Sequence, residues 1–134
     1  MLKAGDCLLL ADPAGRHPSH LFVVVSDPSR NRDCILMAGI TTWEEYKDDS
    51  CMLEPADWPD FQFLKHRSCI DYRHAIAASE AEIEAWITTE RARVREPVPP
   101  RLLERVRQGA RETPYLAMKY QLLLDDQGLF DPDH

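Results

Sequence analysis

The chain reads as one mainly β domain with helices towards its C-terminal end, and three observations predict it. The first half is divided into short apolar runs by turn signals, with no long helical pattern between them. After Ser79 the apolar residues recur at helical spacing instead. The length of 134 residues, 44% of them hydrophobic, supplies one modest core and no second one. Several short strands in succession fit a compact antiparallel barrel better than βαβ units. A single barrel-plus-helices domain over residues 1–124 is expected, followed by an acidic tail over 125–134.

Cys7 to Ala11 and Leu21 to Ser26 are β-rich or continuously apolar, and each is bounded by a turn signal, Ala4-Gly5-Asp6 before the first and Ser26-Asp27-Pro28-Ser29 after the second. The interval between them holds Asp12-Pro13, Gly15 and Pro18, which makes it a loop carrying Arg16, His17 and His20. Asp33 to Met37 predicts a third strand that Gly39 interrupts, with Thr41-Thr42 opening a charged segment through Ser50. Cys51 to Leu53 is a weaker strand, and Pro59 marks a turn before Phe61, Phe63 and Leu64. In the run His66-Arg-Ser-Cys-Ile-Asp-Tyr-Arg-His-Ala75, a strand would send Ile70 and Tyr72 to one face. Ser79 with Glu82 is a capping-box pair opening a helix whose apolar stripe is Ile83, Trp86 and Ile87. Prolines in the Glu96–Pro100 stretch stop it. Leu102, Leu103, Val106 and Ala110 make the stripe of a second helix. Thr113-Pro114 resembles an N-cap followed by proline at the first helical position, opening a third helix with Leu116, Ala117, Tyr120, Leu123 and Leu124 on its apolar side.

Sixteen basic and twenty-three acidic side chains give a formal charge of -7, which excludes nonspecific attraction of a polyanion over the whole surface. Four of the acids lie in the tail, so a local basic patch is still compatible with this balance. No apolar run approaches the roughly 20 residues that cross a bilayer, and the first ten residues lack a signal-peptide pattern; a cytoplasmic location with no membrane partner is expected. Cys7, Cys34, Cys51 and Cys69 have long, unequal gaps without C-x-x-C spacing, so they are expected to be reduced and mostly buried. No His, Asp and Glu spacing points to a metal, no glycine-rich phosphate loop is present, and no cofactor is expected.

The densest chemistry lies in the His66–Ala75 run, where two imidazoles, a hydroxyl, a thiol, a phenol and two guanidinium groups share ten residues. A polar ligand, RNA in particular, is the reading this density favours. A second run, Arg91 to Arg111, carries seven arginines. It reads either as a basic surface for phosphates or, more simply, as a solvated helix face with charge pairing one turn apart. Trp43 and Trp58 stand in polar segments, where one of them would mark a partner-binding rim.

In its layout the chain resembles the PemK/MazF family of toxin endoribonucleases. The resemblance rests on Gly5-Asp6 opening the first strand, a glycine-containing loop after it, a second strand ending in Ser26 and a third leading to Thr41-Thr42. It extends through Leu64 to Tyr72, similar to the family's leucine-x-x-x-serine strand, and Glu104 to Glu112, similar to its late helix. What it implies is a small SH3-like antiparallel barrel, metal-independent cleavage of single-stranded RNA through 2′-hydroxyl attack on phosphate, a homodimer and a cognate antitoxin. The family's threonine or serine after the third strand matches Thr42, with Thr41 adjacent. Its arginine at the start of the second strand is replaced by His20, a weaker and pH-dependent clamp.

Such cleavage needs a base for the 2′-hydroxyl, an acid for the leaving 5′-oxygen and donors for the crowded phosphorane. His20, Thr42 and His66 are the catalytic candidates, because imidazole exchanges protons near neutrality and a hydroxyl donates to phosphate. Arg16 and Arg67 are candidate phosphate clamps, Ser68 a hydrogen-bond donor and Tyr72 a stacking platform for RNA. Each has a structural alternative: His20 as a surface loop residue, Thr42 as a strand-end cap, Ser68 as a partner for backbone groups, and Tyr72 as core. A noncatalytic barrel that binds a protein partner is the competing function.

Overall fold

The computed structural model describes residues 1–11 and 19–130. Among these residues six strands form one antiparallel sheet: β1 (Cys7–Leu10), β2 (His20–Val24), β3 (Ile35–Thr42), β4 (Met52–Leu53), β5 (Ser68–Ala78) and β6 (Ala92–Arg95). Their spatial order is β4-β5-β3-β2-β1-β6. Among the same residues three α-helices, α1 (Glu80–Thr88), α2 (Pro100–Glu112) and α3 (Met118–Asp126), complete a mixed α/β architecture. Among the described residues β4 and β6 are not paired, so the expected barrel takes the form of an open sheet. Its two edges communicate instead through the connection ahead of β5. There the Gln62 N–H donates to Glu96 at 3.2 Å, and the Arg95 guanidinium lies 5.5 Å from the Phe63 ring centre.

Strand alternation divides the apolar residues between two faces. Cys7, Leu21, Val23, Leu36, Ala38, Ile70 and Tyr72 share one core with Leu102, Val106 and Ala110 of α2 and Leu124 of α3. Leu8, Val24, Ile35, Met37 and Ala78 form a smaller core against Ile83 of α1, with Trp86 and Ile87 beside it. The capping box expected for α1 is present: the Ser79 hydroxyl accepts from the Glu82 amide, and the Glu82 carboxylate accepts from the Ser79 amide. Cys7, Cys51 and Cys69 are buried and all four cysteines are free.

Four expectations are corrected. Gly39 does not end β3. The strand runs on to Thr42 with Gly39 opposite Asp71, where a Cβ would sit 3.6 Å from the Phe22 ring. Residues Ala92–Arg95, expected to belong to a basic surface or a solvated helix face, form edge strand β6 against β1, with Arg93 and Arg95 exposed. Charged side chains on such an edge discourage pairing with another chain. Thr113 closes α2 and does not open α3: its N–H donates to the Gly109 carbonyl and its hydroxyl donates to Asp48 at 2.6 Å. Nor does the packed unit stop at residue 124. The Asp27 N–H donates to the Gln127 side chain at 2.8 Å, and Leu129 is buried in the larger core.

Tyr72 locks the larger core. Its hydroxyl donates to the Val106 carbonyl at 2.6 Å, and α2 approaches closely enough that a Cβ on Gly109 would lie 2.7 Å from the Cys51 Cβ. No carbon contact of that length is tolerated, so glycine is required there by packing.

Candidate functional site

The three catalytic candidates lie towards one end of the sheet, at the start of β2, the end of β3 and the approach to β5, yet they do not share a pocket. His20 pairs across with Leu10 on the α1 face, whereas Thr42 pairs with Ser68 on the α2 face. Alternation therefore sends their side chains to opposite sides of the sheet. His66 is exposed and lines a cavity of about 650 Å³ with Gln62, Phe63, Lys65, Arg95 and Glu96. Neither His20 nor Thr42 lines it.

The proposed RNA contacts fare unevenly. Arg16 falls at residues 12–18, outside the described residues. Arg67 is ion-paired with Glu54. Ser68 is buried, its hydroxyl donating to the His66 carbonyl at 2.8 Å, which ties the entry of β5 to itself. Tyr72, 1% exposed, offers no ring face to a base. Burial pushes its hydroxyl's pKa well above the usual phenol range. It is a core residue, and the stacking role expected for it is withdrawn.

A different constellation does assemble beside β5, created by a register break. Residues 68–71 of β5 pair with Gly39–Thr42, and residues 76–78 pair with Ile35–Met37, so four residues of β5 from Tyr72 to Ala75 stand opposite Ala38 alone. Such a bulge bends its strand and re-aims side chains. Here it brings His74 back onto Asp71: the His74 Nδ1 is 2.9 Å from Asp71 Oδ2, and the His74 N–H donates to Oδ1 at 3.3 Å. In a regular strand, positions three apart point to opposite faces.

The pair borders a cavity of about 460 Å³ lined also by Thr41, Tyr46, Lys47, Asp48, Cys69, Arg73 and Tyr115. The Lys47 ammonium donates to Thr41 Oγ1 at 3.0 Å and to the Thr42 carbonyl at 2.7 Å. Arg73 lies 4.3 Å from the centre of the Tyr115 ring, a cation–π contact that leaves its N–H groups without a carboxylate partner among the described ion pairs. Tyr46 is 81% exposed.

Two other groups in the wall are chemically quiet. Asp48 accepts from the Thr113 hydroxyl and from the Ser50 N–H and hydroxyl, which makes it a brace between the β3–β4 connection and α2. Burial raises the Cys69 thiol, which keeps it protonated and disfavours a thiolate nucleophile. What remains is an imidazole oriented by a carboxylate, two cations of different shape and two accessible phenol rings. A carboxylate only accepts, so Asp71 selects the tautomer with the proton on Nδ1 and leaves Nε2 as an acceptor.

Among the described residues no helix is long and apolar enough to cross a membrane. Comparison with protein-family models finds no match to this chain, and a search of curated proteins finds none either.

Proposed function

We propose that this chain is a metal-independent endoribonuclease of PemK/MazF type, on an open, SH3-like sheet, acting on single-stranded RNA at the β3–β5 cavity. The observation that carries this reading is the Asp71–His74 pair, held at 2.9 Å beside Lys47 and Arg73. An exposed pair of this kind adds at most about 1 kcal/mol to stability, so folding alone gives little reason for it. A base with an orienting carboxylate next to phosphate-binding cations is what 2′-hydroxyl attack requires.

In this mechanism His74 Nε2 takes the 2′-hydroxyl proton as the 2′-oxygen bonds to phosphorus. The bond from phosphorus to the 5′-oxygen breaks, leaving a 2′,3′-cyclic phosphate and a 5′-hydroxyl. Arg73 presents its guanidinium to the phosphorane, and the Lys47 ammonium, with one N–H beyond the two already used, supplies the proton for the leaving oxygen. Tyr46 and Tyr115 are the surfaces on which bases stack.

The test is cleavage of a defined single-stranded RNA pool in excess EDTA by the wild type, His74→Ala, His20→Ala and His66→Ala. Loss of about 10²–10⁴-fold in His74→Ala alone is expected. Loss in His20→Ala or His66→Ala with His74→Ala unaffected would return the chemistry to the other end of the strands. Intact RNA in every arm with folded protein would overturn the nuclease reading.

One observation favours the competing function, a noncatalytic barrel that docks on a protein. Met118 and Leu122, one turn apart on α3, are 66% and 53% exposed. They suit an apolar protein surface, either a second copy or an antitoxin.

A further inference from the structure

A third cavity, of about 370 Å³, lies at the start of α2 and is lined by Met52, Asp57, Trp58, Arg101 and Arg105. We propose that it is a nucleotide site, with phosphate held by Arg101 and Arg105 and the base laid on Trp58. Its volume falls within the roughly 300–1,000 Å³ of small-ligand sites.

The two arginines converge on an anion. Arg101 and Arg105 are one helical turn apart on α2 and so share a face. Neither takes part in the ion pairs of the described residues, whose carboxylates are Asp27, Glu80, Glu54 and Asp71. Arg105 Nη1 is buried with no hydrogen-bond partner among the described residues, and the half-buried side chain that carries it borders the cavity, so its charge acts there beside that of Arg101.

The remaining walls decide between a bare anion and a nucleotide. Trp58 is half-buried, packed against the larger core on one side and bordering the cavity on the other. An indole is the strongest stacking surface among side chains, whereas inorganic phosphate has no use for one. Met52 gives the apolar backing that a base edge tolerates. Asp57 would repel a phosphate placed against it, but it accepts hydrogen bonds from ribose hydroxyls or an exocyclic amine. Phosphate towards the arginines and sugar or base towards Asp57 satisfies every wall at once. The same chemistry serves a free mononucleotide or one unit of an RNA strand, and it does not depend on cleavage at the Asp71–His74 pair.

Binding is read without catalysis, by quenching of tryptophan fluorescence and by calorimetry, with AMP, adenosine, inorganic phosphate and a tetrauridylate methylated at its 2′-hydroxyls, and so without the nucleophile for cleavage, as separate probes. AMP is expected to bind saturably and to quench, with adenosine and phosphate each weaker by 10-fold or more. Trp58→Phe should remove the quench, and Arg101→Ala, an exposed position safe for folding, should weaken AMP at least 10-fold. Tetrauridylate binding tighter than AMP assigns the site to a strand, and equal or weaker binding assigns it to a free nucleotide. No saturable binding of either nucleotide by folded protein would overturn the proposal, as would AMP affinity unchanged in Arg101→Ala.

Discussion

Tyr72 and His74 lie two residues apart on β5, yet the structure puts them to opposite uses. Tyr72 is buried, with its hydroxyl committed to α2, whereas His74 stands exposed and is held only by Asp71. The break in pairing opposite Ala38 separates them. Up to Tyr72 the strand is fixed by the larger core, and after it three residues, Arg73 to Ala75, stand outside the regular ladder before pairing resumes at Ile76. Rigid scaffold and adaptable chemistry are thus neighbours on one strand, which is how a small domain positions a reactive group without giving up its core.

The strongest way to break this comparison is to exchange the symptoms. His74→Ala should lower RNA cleavage by about 10²–10⁴-fold, equivalent to roughly 3–5 kcal/mol of barrier, while its melting temperature stays at the wild-type value. A variant that melts early, or one that cleaves normally, would show that His74 belongs to the fold and not to the chemistry.

The scaffold side of the comparison is tested at Gly109. An alanine there brings its Cβ against Cys51 and the Ser50 carbonyl as well as Tyr72, with the Ser50 oxygen at 3.1 Å. Because backbone and a core tyrosine cannot both move aside, a loss of at least about 1–3 kcal/mol is expected in urea unfolding. An unchanged midpoint would mean that α2 is not seated as closely as Tyr72 implies.

The larger core also carries a pH signature. Burial pushes the Cys7 thiol up to about 12 and the Cys51 thiol up to about 11, from 9.0 for a free thiol. Their folded pKa values lie above the unfolded one. Their contribution is therefore fully present below about pH 9, and it is lost as pH rises through 9 towards 11 and 12, because only the unfolded chain releases the protons. Thermal unfolding followed from about pH 8 to about pH 11 should show a decline that is shallower in Cys51→Ala. Equal slopes would remove Cys51 from this account.

Much of the scaffold was legible because it is written locally. The capping box at Ser79 and Glu82, the first two strands and the buried, unpaired cysteines depend on residues close in sequence or on simple apolar patterning. The features that build the site are not local. Asp71 and His74 meet only because β5 slips against β3, and spacing of three in a strand hides such a pair. Edge strand β6 is recognisable only from its pairing with β1, since Ala92-Arg93-Val94-Arg95 alone looks like solvated surface. Thr113 followed by proline carries the local signature of a helix start, but the hydrogen bond to Asp48 sixty-five positions away takes its hydroxyl for another purpose. His20 and Thr42 were sensible choices by strand position, and alternation, which a single strand's sequence does not tie to its neighbour's, placed them on different faces.

A smaller effect sharpens the Tyr72 half. Tyr72→Phe removes the donor to the Val106 carbonyl while keeping the ring, and that carbonyl, inside α2, keeps its helical partner, so the cost should be the net worth of one hydrogen bond, about 0.5–1.5 kcal/mol. Cleavage per folded molecule should not change. A drop in specific activity with little loss of stability would instead mean that the hydroxyl reaches the site through the bulge.

A small stability change can be the most discriminating of all. Asp71→Asn keeps the size of the side chain and an oxygen to accept from the His74 ring and backbone, but removes the charge. Since the pair is exposed, with the His74 side chain three-quarters accessible, stability should move by no more than about 0.5 kcal/mol. Its effect on cleavage should be large by comparison, because the amide no longer stabilises the imidazolium that forms when His74 takes a proton and can also present an N–H that selects the wrong tautomer. Matched small losses in both measurements would reduce Asp71 and His74 to a surface ion pair at a bend. A near-wild-type unfolding curve beside a severe loss of turnover is the result that only an oriented base explains.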